Sequence, residues 1–145
     1  MLPLELPPRD ASGEVLPHDH PGIHVDDGVI RRIAEHFVVN DPKVGRRLSS
    51  MAFKPSSHGS RGMSVDLQKQ IEEADLDPRQ YVTSPKWIAS VRFTAGAARG
   101  LALQVGFEPL AENPHHGEIW GPKNNFRGLC NLCEWFVELP GVLLV

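Results

Sequence analysis

Leu101-Ala102-Leu103-Gln104-Val105-Gly106-Phe107-Glu108 is the stretch that decides the fold class. Leu101, Leu103, Val105 and Phe107 point one way, and Ala102, Gln104, Gly106 and Glu108 point the other. That period of two is the mark of a half-buried strand. Upstream, Trp87-Ile88-Ala89-Ser90-Val91-Arg92-Phe93-Thr94 repeats the pattern, with Val91 and Phe93 inward and Ser90, Arg92 and Thr94 outward. Gly96-Ala97-Ala98-Arg99-Gly100 between them is short enough for a hairpin-like connection. Downstream, His116-Gly117-Glu118-Ile119-Trp120 reads as a third strand after the Glu112-Asn113-Pro114 turn, and Arg46 to Phe53 as a fourth.

Outside these strands the period changes. Asp26 or Asp27 caps an expected helix in which Ile30, Ile33, Ala34 and Phe37 fall at i, i+3, i+4, i+7, ending near Asn40-Asp41-Pro42. Ser64 or Asp66 caps a second, through Ala74, with Val65, Leu67, Ile71 and Ala74 as its stripe. Phe126, Leu129, Cys130, Cys133, Phe136 and Val137 draw a continuous stripe for a third, stopped by Pro140-Gly141. Val142 to Val145 then docks as an edge strand or covers apolar surface. The expectation is an α+β fold: a small, mostly antiparallel sheet of about four strands (46–53, 87–94, 101–108, 116–120) with three helices, the C-terminal one packed on one sheet face. Residues 1–25 hold five of the thirteen prolines and no periodic apolar face, so they read as an extended arm before a single domain over 26–145. By the same reading, removing residues 1–22 costs little stability.

Composition narrows the classes. Leu, Ile, Val and Phe make up 40 of 145 residues and the net charge is −3, which places the chain among self-folding globular domains. Lys and Arg number 15 against 18 Asp and Glu, so no basic field for nucleic acid exists and none is expected as a partner. No apolar run approaches bilayer length, and the N-terminus lacks a basic, continuously apolar leader, so neither a membrane nor export by that route is expected. Two cysteines make no disulfide framework, and the default compartment is the cytoplasm.

His18-Asp19-His20-Pro21-Gly22-Ile23-His24 has the i, i+2 imidazole spacing that chelates Zn²⁺, but a proline-rich arm offers no rigid frame for ligands. His18, His20 and His24 therefore read as a solvated loop before they read as a metal site. Cys130-Asn131-Leu132-Cys133 has redox or half-zinc spacing, yet no second pair exists and both thiols lie on the apolar stripe, so they read as core. Gly59-Ser60-Arg61-Gly62 lacks the Lys-Ser/Thr of a phosphate loop and remains at most an anion-binding turn.

The strongest functional expectation is a face. Strand alternation puts Arg92, Gln104, Glu108, His116, Glu118 and Trp120 on the side of the sheet opposite the core. On it, Arg92, Gln104 and Trp120 are expected to contact a ligand, with His116 and Glu118 as candidates for proton exchange. The leading expectation is thus a module binding a small molecule or a protein, its ligand and any cofactor unidentified. The alternative is a small enzyme, metal-dependent or ADP-ribosyl-transferring. Arg46-Arg47 before a strand, Gly62-Met63-Ser64-Val65 and Glu118 resemble the dispersed Arg-Ser-Glu pattern of ADP-ribosyltransferase-like toxins. That resemblance is carried by those residues alone.

Overall fold

A computed structural model describes residues 3–55, 62–83 and 86–144. Within them lie eight strands: β1 Gly28–Ile33, β2 Val38–Asp41, β3 Gly45–Leu48, β4 Met63–Leu67, β5 Ala89–Thr94, β6 Gln104–Phe107, β7 His116–Trp120 and β8 Glu134–Val137. Six form one sheet in the order β6-β7-β4-β1-β5-β8, every neighbour antiparallel, while β2 and β3 form a separate hairpin. Three short helices, α1 Gln68–Glu73, α2 Pro78–Thr83 and α3 Ala95–Gly100, complete an α+β fold richer in strands than the sequence suggests.

One face of the large sheet carries the main core. Val29, Val65, Leu67, Val91, Phe93, Val105 and Ile119 are essentially inaccessible there, packed with Phe53, Phe126 and Leu129. Each such side chain contributes about 1.5–3 kcal/mol of burial free energy. The alternation read for β5, β6 and β7 is the observed one over 89–94, 104–107 and 116–120, whereas Leu101 to Leu103, expected to begin the strand, belong to the turn that ends α3.

Five expectations are corrected. The stretch from Asp26 to Asn40 is not a helix but β1, a 3₁₀ turn at Glu35–Phe37, and β2. β1 is central and covered on both faces: Val29 and Ile33 face the main core, while Ile30 lies in a second cluster with Ile71, Val82 and Phe136 under α1 and α2. A strand buried on both sides loses its alternation, and β-branched Val29, Ile30 and Ile33 suit the pleat better than a helix. The second expected helix is a strand first, β4, and only Gln68–Glu73 turn helical. The C-terminal helix is absent: Lys123–Asn131 winds as a 3₁₀ segment, then Glu134–Val137 extends as the outer strand beside β5. Its stripe serves two places, with Phe126 and Leu129 in the main core and Phe136 in the second cluster. Finally, the connection at 96–100 is helical, α3, started by Thr94 Oγ1 accepting from the Ala97 N–H at 3.1 Å. The expected strand over 46–53 stops at Leu48, followed by a 3₁₀ turn at Ser50–Ala52. Leu143 touches this hairpin through a single parallel bridge to Arg47, whereas Val145 and most of the Gly59–Gly62 turn lie outside the described residues.

The arm is extended, but it packs. Val15, His20 and Ile23 are buried. The His20 N–H donates to Val105 O (2.8 Å), Asp19 Oδ1 accepts from the Val105 N–H (2.9 Å), and His18 Nε2 accepts from the Phe107 N–H (3.1 Å). These bonds cap the outer edge of β6, where unpaired amides would otherwise stand open. Among the described residues, no helix is long and apolar enough to cross a membrane.

Candidate ligand cleft

The register builds the polar face directly. Arg92 stands opposite Ile30, Ile30 opposite Asp66, and Asp66 opposite His116; Ser64 stands opposite Glu118, and Gln104 opposite Trp120. Residues paired across neighbouring strands share a face, so all the polar residues expected there lie on one side, joined by Ser64, Asp66 and Arg32.

The face is divided, however. His116, Glu118 and Trp120 are buried on β7 at 7%, 5% and 4% exposure. Arg92, two strands beyond Asp66, donates from Nε to Gln68 Oε1 at 2.6 Å and lies 3.7 Å from Glu134. Gln104 is exposed near the opposite edge, and the Trp120 ring rests against His18 at 5.2 Å. Arg92 and Gln104 are thus not brought to His116 and Glu118.

What lies around His116 is a cleft of about 590 Å³, within the range of small-molecule sites. Its floor is Arg31, Arg32, Ser64, Asp66 and His116. One wall comes from Tyr81, Lys86 and Trp87 at and after α2, and the other from Leu110, Glu112 and Asn113 between β6 and β7. Asp66 organises it. Its Oδ2 and Oδ1 accept from Arg32 Nε and Nη2 at 2.8 and 2.9 Å, and Oδ1 also accepts from Asn113 Nδ2 at 2.8 Å. Tyr81 donates its hydroxyl to Asn113 Oδ1 at 2.6 Å, and the Arg32 guanidinium lies 5.6 Å from the Tyr81 ring centre. Both walls are thereby tied to the floor.

Arg31 is held differently. The β1–β4 ladder ends at Ile30, and beyond it Arg31 donates from Nε to Ala52 O and from Nη1 to Ser64 O, each at 2.9 Å, with its guanidinium 5.6 Å from the Phe37 ring centre. Burial pushes this guanidinium down to about 10, against the pull of Glu118 and Asp66, so it stays a cation at neutral pH. No carboxylate stands in ion-pair contact with it among the described residues.

Beside the cleft, Glu118 and Glu108 flank His116. The imidazole approaches Glu118 Oε1 with Nε2 at 3.8 Å and Glu108 Oε1 with Nδ1 at 3.6 Å, while Nδ1 lies 2.8 Å from the Glu108 carbonyl. Ser64 Oγ reaches Glu118 Oε1 at 3.5 Å, but Arg46 and Arg47 lie on the β2–β3 hairpin, where Arg47 pairs with Asp41 at 2.7 Å.

The arm histidines are spent on the fold. His18 uses Nδ1 on Leu16 O and Nε2 on the Phe107 amide; His20 uses Nε2 on Glu5 O and Nδ1 on the Gly22 amide. His24 is exposed at the rim of a separate depression. Cys130 and Cys133 are free and half-buried, and burial raises both thiols, Cys133 to about 11. Sequence reasoning missed Arg31, Arg32 and Asn113 and took Asp66 for a helix cap. The available signal was two adjacent arginines inside a β-branched run. Comparison with protein-family models, curated proteins and solved structures finds no match to this chain, so its site is read from its own geometry.

Proposed function

We propose that this domain is a binding module whose polar-face cleft takes a small anionic molecule, a carboxylate or phosphate carrying a flat apolar portion. The observation that carries this reading is Arg31: a half-buried cation with no carboxylate in contact among the described residues, positioned by two backbone carbonyls and lining a cleft with Arg32 and Lys86. A half-buried charge without a contacting counter-charge gives up part of its hydration unrepaid, and an incoming anion supplies the missing partner. The planar guanidinium presents donors in the fork that matches carboxylate and phosphate. Arg32 is already neutralised by Asp66, so its part is to hold the floor. Tyr81 and Trp87 supply flat apolar wall. Two free thiols support a reducing, cytoplasmic setting.

The test is calorimetric titration with mono- and dicarboxylates, inorganic phosphate and nucleotides including NAD. At least one anion class binds the wild type, and Arg31→Gln weakens it about 10- to 100-fold, the loss expected for one charge-assisted contact of about 1.5–3 kcal/mol. A panel without binding, or one in which Arg31→Gln binds as well as wild type, refutes the reading. Selective binding of NAD would favour the ADP-ribosyl-transferring alternative.

A further inference from the structure

We propose that Glu108, His116 and Glu118 form a site for one first-row divalent cation, on the border of the cleft. The three donor atoms lie within 4.8 Å of one another. They come from the end of β6 and from alternate positions of β7, where strand pairing fixes the backbone beneath them.

The imidazole is held as a metal ligand is held. Nδ1 donates to the Glu108 carbonyl at 2.8 Å, which fixes the tautomer and the ring plane and leaves the Nε2 lone pair on the side of Glu118. His116 is 7% exposed and lines the cleft, yet among the described residues its Nε2 makes no hydrogen bond. Glu118 Oε1 is 3.8 Å away, too far for a hydrogen bond. Two metal–ligand bonds of about 2.0–2.2 Å at a tetrahedral angle set their donor atoms about 3.3–3.6 Å apart, so closing this gap by a few tenths of an ångström seats an ion between them. Glu108 Oε1 stands 3.6 Å from Nδ1, so its carboxylate, 15% exposed, turns toward the Nε2 side of the ring to complete the triangle.

Donor chemistry selects the ion. One imidazole and two carboxylates suit Zn²⁺, Mn²⁺ or Fe²⁺ better than Mg²⁺ or Ca²⁺, which prefer all-oxygen shells. Three protein ligands leave coordination positions open, the arrangement of catalytic and not of structural sites. This inference is independent of the anion reading, because it is tested with metal alone.

The experiment strips the full chain with a chelator and titrates it with Co²⁺, following visible d–d absorption, then displaces the Co²⁺ with Zn²⁺. The expected result is one ion per chain, with affinity reduced about 100-fold or more in His116→Ala and in Glu118→Gln, both checked for folding by circular dichroism. Where a variant does not fold, the wild-type imidazole resonances decide: Co²⁺ shifts the His116 ring signals and leaves those of the arm histidines in place. No stoichiometric binding, unaltered binding in His116→Ala, or shifts confined to other histidines overturns the proposal. The first of these outcomes would leave an imidazole between two carboxylates as a purely structural bridge.

Discussion

Asp66→Asn is the sharpest perturbation of the cleft, because the new amide is nearly isosteric and only the charge and one acceptor are lost. In the wild type this carboxylate, 3% exposed, accepts three hydrogen bonds, two from Arg32 and one from Asn113. Asparagine would turn an NH₂ group toward a donor that the carboxylate now satisfies, leaving the guanidinium without a counter-charge. Breaking one side of a buried pair costs about 3–5 kcal/mol. Arg32 keeps 21% of its side chain exposed, and water relieves part of that penalty, so the lower end, about 3 kcal/mol, is expected. For a domain of this size that lowers Tm by about 6–12 °C. Urea unfolding at neutral pH, with the m-value checked for constancy, measures it. The double variant Arg32→Met/Asp66→Leu removes both charges and should recover much of the loss, since an apolar pair of similar volume often matches a buried ion pair. A cost below about 1 kcal/mol for Asp66→Asn, with folding intact, refutes the view that this pair holds the cleft floor.

Asp19→Ala removes the acceptor of the Val105 amide and the partner of Arg99 at 2.9 Å, and should destabilise by about 1–2 kcal/mol in the same assay, whereas a freely solvated arm predicts no change. Alkylation of native Cys133 should track an ionisation near 11 and not near 9, and denaturation should restore ordinary reactivity. Because the folded thiol holds its proton to higher pH than the unfolded one, stability falls as pH rises from 9 toward 11; Cys133→Ser should flatten that slope in urea titrations across the window.

The strands β5, β6 and β7 were legible because each has one apolar and one polar face, and Val91/Phe93, Val105/Phe107 and Ile119 mark the inner one. β1 was not. Ile30 is as buried as Val29, on the opposite face, and two apolar neighbours erase a period of two and mimic one of 3.6. The same confusion hid β8, since Phe126 and Phe136 serve opposite faces of one sheet while keeping helical spacing. With β1 unread, Arg31 and Arg32 had no place, and Asp66, 34 residues from its partner Arg32, had no reason to be joined to it. His116 and Glu118 were within reach, because adjacency at i, i+2 on a strand is a local property. Arg92 and Gln104 were assigned to the same face correctly, but strand order, a long-range outcome of tertiary pairing, decides how far apart they stand.

The cap that the arm places on β6 makes the large sheet asymmetric in how it can grow. One border is closed by the chain's own side chains and amides, whereas β8 at the other border pairs only with β5 among the described residues. Of the two borders β8 is the more open, although Phe136 O already accepts from Arg79 Nε at 3.0 Å, and a β8-to-β8 pair would be a two-fold, self-complementary contact. Such a pair carries a sealed β6 at each end, so addition of a third chain has no template. Shortening the arm would expose the β6 border beside that of β8, and a chain with two open borders could add copies at both.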